Sequence, residues 1–300
     1  MGPFLVCEGA LDGLDNRVLD AVLVGALNIF VEIHPAGGGT SLEWLRNWLA
    51  RDGSLALSVE DRNFRPDAEA ARGWADTAVQ RLVWRRHEIE NYLLAPPVVS
   101  AAFGRIRATV SQPWTSLLPA DPKAAANLLR DLAQRLIPDQ AGHAACDELH
   151  RLVRSSAGLS IRRPTPPVAP GSDCPAASEW RDAIQQEAAR LRSECDKART
   201  LGELQDSAVR ARYDMVLDRF HHPEFLAQDR YLQELGGKEI LAAMAKHVGS
   251  LCGGQLRRQD LENELVRALA DTYQPDTLFQ PDCFHELADR LRPAPAPTRP

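Results

Sequence analysis

Acidic and amide side chains recur at short spacings in the first 90 residues of this chain. Glu8 and Asp12 lie four residues apart around a glycine, Asp61 and Asn63 lie two apart, and Glu90 follows further on. Oxygen atoms of such side chains are the ligands that hard divalent cations prefer in proteins. Carboxylates brought together also repel one another unless a cation or protons compensate their charge. The residue types therefore favour a Mg²⁺ or Mn²⁺ site.

Such a site would suit the cleavage of phosphodiester bonds. A bound Mg²⁺ lowers the pKa of a coordinated water and stabilises charge on the attacking and leaving oxygens. Arg85 or Arg86 could hold the phosphate, because guanidinium groups bind phosphate oxygens strongly. The glycines at 37–39 look like a phosphate cradle, but no Gly-Lys-Ser/Thr follows them, which excludes a P-loop. We interpret them as a turn that lets the backbone approach the site.

Four short apolar runs carry these groups at their ends. They predict strands at residues 4–7, 29–33, 55–59 and 81–84, with amphipathic helices at 11–23 and 40–49. Alternating strands and helices are typical of an α/β fold with a parallel sheet, since parallel neighbours need a crossover connection. Ligands of such sheets bind at the carboxyl ends of the strands, where the acidic groups fall.

The chain beyond the fourth strand is predicted to be mainly helical. A proline-rich stretch interrupts it, and the last residues repeat Pro and Ala without apolar anchors. The domains predicted from this pattern are an α/β domain at 1–95, a helical extension at 96–163, a proline-rich linker or loop at 164–177, a helical region at 178–291 and a disordered tail at 292–300.

The composition is that of an ordinary globular protein. The 300 residues carry 35 Lys+Arg and 41 Asp+Glu, a formal net charge of −6. This acidity argues against strong free-standing affinity for DNA, which rests on neutralising phosphates. The six cysteines lack zinc spacing, no apolar stretch is long enough to span a membrane, and the N-terminus lacks a basic signal region. We expect a cytoplasmic protein with reduced thiols and no membrane association.

In combination, these motifs resemble the Toprim fold, particularly the Toprim-like nucleases of the OLD type and the Toprim-like proteins that work beside a separate ABC-type ATPase in bacterial anti-phage defence. The resemblance covers roughly residues 4–95, with Glu-Gly-x-x-Asp after the first strand, the glycine loop after the second and Ile-Glu-Asn-Tyr-Leu-Leu after the fourth. A weaker likeness lies in Gly236-Gly237-Lys238, which is similar to a Gly-Lys box; Lys238 is a phosphate-binding candidate there, with Arg86.

The resemblance implies a role for each matching residue. Glu8 matches the Toprim glutamate, a metal ligand or general acid/base, and Asp12 would be a supporting ligand. Asp61 matches the first residue of the family's Asp-x-Asp pair, and Asn63 stands where the second should be. Glu90 would complete or orient the catalytic site. The predicted cofactor is Mg²⁺ or Mn²⁺.

Asn63 is the main departure from the family pattern. An amide is a neutral and weaker Mg²⁺ ligand than a carboxylate, so one metal position would be lost or would need Glu60 as a substitute. The resemblance otherwise implies a metal-dependent nuclease acting on DNA or RNA. Because the chain carries no ATPase motif, regulation by nucleotide would come from a partner ATPase. The helical region would then serve homo-oligomerisation, partner docking or nucleic-acid clamping.

Two other functions stay open at this point. The change to Asn63 could mark a non-catalytic Toprim-like module that binds or senses without chemistry. A flavodoxin-like or receiver-like domain also has acidic strand ends, but a receiver needs paired acids after its first strand, which the single Glu8 does not supply. Each residue also has a structural interpretation: Glu8 could cap a helix, Asp61 and Asn63 could form a turn, and Lys238 could be an exposed residue at a helix start.

Overall fold

The computed structural model describes residues 2–172, 174–273 and 282–292, and the predicted tail beyond Arg292 lies outside them. The chain divides into two compact units, one made of Met1–Leu129 and Leu232–Pro300, the other of Arg130–Tyr231. The predicted boundaries at residues 95 and 163 do not coincide with these units. The reason is that the helices Pro96–Thr109 and Arg258–Thr272, which precede and follow the second unit in the sequence, pack against each other within the first unit.

A four-stranded parallel sheet is the framework of the first unit. All pairings are parallel, and the spatial order is β2-β1-β3-β4. Its strands are β1 (Phe4–Cys7), β2 (Glu32–Pro35), β3 (Ala56–Glu60) and β4 (Arg81–Val83). Together with the helices around and after it, this sheet confirms the predicted α/β class with a helical C-terminal region. Because the strands are parallel, the residues that follow β1, β3 and β4 share one edge of the sheet.

Helices account for most of the remaining described residues. In chain order they are α1 (Leu14–Leu19), α2 (Gly39–Leu49), α3 (Asp67–Ala75), α4 (Glu90–Leu93), α5 (Pro96–Thr109), α6 (Pro122–Ala157), α7 (Ala177–Glu194), α8 (Asp196–Arg199), α9 (Asp206–His221), α10 (Pro223–Ala227), α11 (Tyr231–Glu234), α12 (Gly237–Leu251), α13 (Arg258–Thr272) and α14 (Cys283–Leu291). Short 3-10 turns lie at Ala50–Asp52, Pro113–Leu117 and Gly202–Leu204, and α1 continues as a π-helix over Asp20–Ala26.

The second strand begins later than predicted. The π-helix after α1 runs to Ala26, and the chain then reverses through Asn28, whose φ of 53° is left-handed. Asparagine tolerates this conformation better than most residues, because its short side chain can hydrogen-bond locally. Ile29 is therefore buried in the connection, and β2 starts at Glu32.

The central strands are buried along their whole length. Every residue of β1 and of β3 is buried, as expected for strands covered on both faces. Helix α2 packs against both of them, and α3 packs against β4. Beyond β4, the aromatic rings of Trp84, Tyr92 and Phe284 pack edge to face or tilted, with centroids 4.9 to 5.4 Å apart. This cluster joins α4 and α14 within the first unit.

Close packing brings the start of α12 onto α4. Asn91, which is fully buried, donates from Nδ2 to the backbone oxygen of Leu235 at 3.0 Å. Its backbone and side chain also lie directly against Gly237, where a Cβ would be 2.6 Å from Asn91 Oδ1 and 2.7 Å from Asn91 N. Only glycine fits this contact without displacing backbone. The position of the next residue, Lys238, is therefore fixed relative to α4.

The second unit is a set of packed helices. Helices α6 and α7 lie in close contact, since a Cβ on Gly142 would lie 2.0 Å from Cδ2 of Trp180. The Trp180 indole is buried and donates to Asp139 Oδ1 at 3.0 Å. The proline-rich stretch predicted as a linker or loop lies inside this unit, and its described residues form neither helix nor strand before Ala177.

None of the six cysteines, all of which lie in the described residues, forms a disulfide bond. Within residues 2–172, 174–273 and 282–292, no helix combines the length and the apolar character that a membrane span requires.

The two glycines of α12 make the contact with Asn91 testable. Gly237→Ala is expected to lower the free energy of unfolding by about 1–3 kcal/mol, because the added methyl group overlaps backbone. Gly249→Ala on the same helix is the matched control: among the described residues no atom lies within 4 Å of its added Cβ. That variant is expected to be neutral or up to about 1 kcal/mol more stable. Urea unfolding measures both, and equal stability of Gly237→Ala and the parent would contradict the packing described here.

Candidate functional site

Glu8 is the first residue after β1 and lies beside the glycine turn that follows β2. A Cβ on Gly39 would be 2.7 Å from Glu8 Oε1. Gly37 and Gly38 have φ values of 70° and 147°, which L side chains rarely adopt. The turn therefore needs glycine for its conformation and for space. As the sequence indicated, it lets the backbone approach the carboxylate.

Asp61 is the first residue after β3 and is only 4% exposed. Its Oδ2 accepts a hydrogen bond from Lys238 Nζ at 3.0 Å. Asn63, two residues on, is exposed, has a φ of 51° and donates from Nδ2 to the backbone oxygen of Asp61 at 3.3 Å. The amide side chain is thus engaged with backbone, as in a tight turn.

Glu88 and Glu90 extend the site from the segment after β4. Glu88 Oε2 accepts from the backbone N of Lys238 at 3.0 Å, and its Oε1 lies 3.4 Å from Lys238 Nζ. Glu90, the first residue of α4, is 4% exposed. One lysine, brought in by the first turn of α12, therefore contacts carboxylates from two different strand ends.

Asp15 is a further acidic residue at this place. It lies in the first turn of α1, and a Cβ on Gly9 would be 2.7 Å from Asp15 Oδ2. Burial raises its pKa, and the charge of Asp61 raises it further. We call the set of Glu8, Asp15, Asp61, Glu88 and Glu90 the acidic cluster.

Electrostatics connects the members of the acidic cluster. Burial, followed by the charges of Asp61 and Glu60, raises the pKa of Glu8 to about 7. Burial raises the pKa of Glu88 to about 6, although Lys238 opposes the rise. For Glu90, burial raises the pKa to about 8, with Lys238 again opposing. Burial lowers the pKa of Lys238, but the negative charges of Asp61, Glu90 and Glu88 outweigh burial and raise that pKa. Near neutral pH the cluster thus holds protons that an exposed carboxylate would release.

Asp12 lies outside this set. It is exposed and has a φ of 60°, so it forms the turn that delays the start of α1 to Leu14. The sequence predicted a helix from residue 11, which made Asp12 look like a first-turn residue; the structure gives that place to Asp15. The signal in the sequence was Asp12-Gly13, a pair that favours a turn.

Glu60 is not available to replace Asn63. Arg81 donates to both of its carboxylate oxygens, at 2.9 and 2.8 Å, and Arg65 lies 3.0 Å from Oε1. Bidentate pairs of this kind are strong and hold the carboxylate in one orientation. Glu60 therefore stabilises the edge of the sheet beside the acidic cluster.

The two arginines considered for phosphate binding are engaged in the fold. Arg86 is 4% exposed, donates to the backbone oxygens of Asn91 and Leu232, and lies over the Tyr92 ring. Arg85 pairs with Glu286 at 2.9 Å. By contrast, the Lys238 side chain is 47% exposed and contacts the acidic cluster, so it is a cation at this site that a phosphate could reach.

Two buried oxygens of the acidic cluster lack a hydrogen-bond donor among the described residues. These atoms are Asp61 Oδ1 and Glu90 Oε2. A buried carboxylate oxygen without a donor is costly, and a bound cation would remove that cost. In the described part of the chain, no three His, Cys, Asp or Glu side chains are already arranged to hold a metal ion. The residues thus fit a hard cation held by one or two carboxylates plus water or substrate oxygens, which is how Mg²⁺ is usually bound.

No known protein family matches the chain, and no curated protein matches it in sequence.

The raised pKa values predict that the fold weakens as the pH rises. From its ordinary 4.5 the pKa of Glu90 rises to about 8, so between these pH values the folded chain holds a proton that the unfolded chain releases. The free energy of unfolding therefore falls across this window, by on the order of 2 kcal/mol for such a group. Glu90→Gln should flatten this dependence in urea unfolding at pH 5, 6.5 and 8 with EDTA present.

Glu43→Gln is the matched control for that experiment, because Glu43 lies on the exposed surface of α2. It is expected to keep the pH dependence of the parent. An unfolding free energy of the parent that stays constant or increases from pH 5 to pH 8 would contradict the placement of Glu90 in a buried acidic cluster.

Proposed function

We propose that this chain is a metal-dependent nuclease that hydrolyses phosphodiester bonds in DNA or RNA. One observation carries the proposal. Acidic side chains that follow β3 and β4 contact Lys238 at one edge of the sheet, and Glu8, which follows β1, is close enough for Asp61 to raise its pKa. Two buried oxygens of this set have no hydrogen-bond donor among the described residues. A divalent cation would supply the positive charge that these carboxylates need, and a substrate phosphate would complete its coordination.

The residues of the chain would divide the work. Glu8 and Asp61 would hold the ion, with Glu90 or Asp15 beside them. As an alternative to holding the ion, Glu8, whose pKa without the ion is about 7, can take or give a proton at neutral pH and suits a general acid/base. The ammonium of Lys238 would bind a phosphate oxygen. When bound, Mg²⁺ or Mn²⁺ supplies a water of lowered pKa and stabilises charge on the reacting oxygens.

The net charge of the chain indicates that a partner is needed to bring nucleic acid to the site. With a formal net charge of −6, the protein lacks the excess of Lys and Arg on which tight nucleic-acid binding rests. We therefore propose that a second component, an ABC-type ATPase as the resemblance implies, or a homo-oligomer, brings nucleic acid to the site. Such a complex would fit an effector of anti-phage defence in the cytoplasm.

A second candidate function is a Toprim-like module that binds without cleaving. It is favoured by the contacts of Lys238, which already compensate Asp61 and Glu88, and by Asn63, whose amide is tied to backbone. In that case the acidic cluster would be a stable ion-paired structure.

Cleavage assays separate these two functions. Purified protein is incubated with supercoiled plasmid, single-stranded DNA or total RNA, in Mg²⁺, Mn²⁺ or EDTA. We expect cleavage that needs the metal and falls by about 10²-fold or more in Glu8→Gln and Asp61→Asn, because each removes a charge at the reacting centre. Glu43→Gln, an exposed carboxylate on α2, is the control and should retain the activity of the parent.

Two outcomes would count against the nuclease. A parent that is inactive on all three substrates, together with an Asn63→Asp variant that cleaves, would support the non-catalytic module. Cleavage that survives both Glu8→Gln and Asp61→Asn would place the reaction elsewhere or in a contaminant.

A further inference from the structure

Lys238 occupies the position of a cation within the acidic cluster. Its Nζ lies 3.0 Å from Asp61 Oδ2 and 3.4 Å from Glu88 Oε1, and its backbone N donates to Glu88 Oε2 at 3.0 Å. Both oxygens of Glu88 and one of Asp61 are therefore satisfied by this single residue. A metal ion that used the same oxygens would have to displace the ammonium.

The lysine is held there by the packing of its own helix. Gly237 lies against Asn91, and Asn91 in turn donates to Leu235 O, so the backbone at residue 238 has little freedom to retreat. The start of α12 also points its backbone N–H at Glu88, which adds partial positive charge at the same place. The ammonium is thus a built-in counter-charge, while its 47% exposed side chain keeps the site open to solvent.

The oxygens that remain are few. Asp61 Oδ1 and Glu90 Oε2 belong to side chains that are each 4% exposed, and within the described residues neither atom has a hydrogen-bond partner. Glu60 is taken by Arg65 and Arg81. One or two of these carboxylates, completed by water, would hold one hard cation. Glu8 and Asp15 also belong to the acidic cluster, but a second ion beside Asp61 would have to share Asp61 Oδ2 or an oxygen of Glu88, and Lys238 already occupies these oxygens.

We propose that Lys238 takes the place of a second metal ion, so that the acidic cluster binds one divalent cation per chain, at the Asp61 Oδ1 side. This inference rests on the proposed function, since it concerns the ion of that site. It assigns to Lys238 both the compensation of Asp61 and Glu88 and the exclusion of a second ion, in addition to contact with phosphate.

Counting bound ions tests the inference without relying on catalysis. Mn²⁺ is titrated into purified protein at pH 7.5, and free Mn²⁺ is measured by electron paramagnetic resonance. We expect one bound ion per chain in the parent and in Lys238→Arg, which keeps the charge, and two in Lys238→Met. Lys246→Met, an exposed lysine on the same helix, is the control and should bind one. If circular dichroism shows that Lys238→Met is unfolded, Lys238→Gln takes its place.

The outcomes separate this inference from the nuclease proposal when plasmid cleavage is measured on the same samples. Two ions in the parent with metal-dependent cleavage would overturn the inference and leave the nuclease standing. One ion in Lys238→Met would also overturn it, since the ammonium would then not be occupying an ion's place. No bound ion and no cleavage in the parent would overturn both proposals.

Discussion

The compensation of negative charge at one edge of the sheet is the constraint on which the rest of this structure depends. Carboxylates after β1, β3 and β4 are brought together by parallel strands and are partly or fully withdrawn from water, which penalises their ionised forms. The ammonium of Lys238 and protons retained on Glu8 and Glu90 compensate this negative charge. Among the described residues, the buried oxygens of the acidic cluster that still lack a hydrogen-bond partner are Asp61 Oδ1 and Glu90 Oε2.

Three glycines leave the space that the charged groups of the acidic cluster need. Gly39 and Gly9 leave space beside Glu8 and Asp15 that any larger residue would fill. Gly237 allows the start of α12 to pack on Asn91 and thereby delivers Lys238 to carboxylates about 150 and 177 residues earlier in the chain. The compensating charge thus comes from the part of the chain that returns to the sheet after the whole second unit.

The sequence predicted the strands of the sheet better than it predicted the side-chain contacts of the site. Apolar runs with strand-forming residues placed β1 and, within one residue at each end, β3 and β4, because buried parallel strands have little choice of side chain. Glu8, Asp61 and Glu90 could be identified because each stands next to such a run. Asp15 was missed, since a left-handed turn at Asp12 moves the helix start, and turns of this kind depend on single φ angles that periodicity does not report.

The residues that pair with the charged groups could not be predicted from local sequence patterns. Arg86 is close to the site residues in the sequence, yet its guanidinium donates to the backbone oxygens of Asn91 and Leu232. Lys238 is remote in the sequence but donates to Asp61. The same reasoning changes the meaning of Asn63. Its side chain is exposed and donates to the backbone oxygen of Asp61, so in this structure it adds no oxygen to the acidic cluster. Glu88 and Glu90, from the segment after β4, are the acidic residues that lie with Asp61 there.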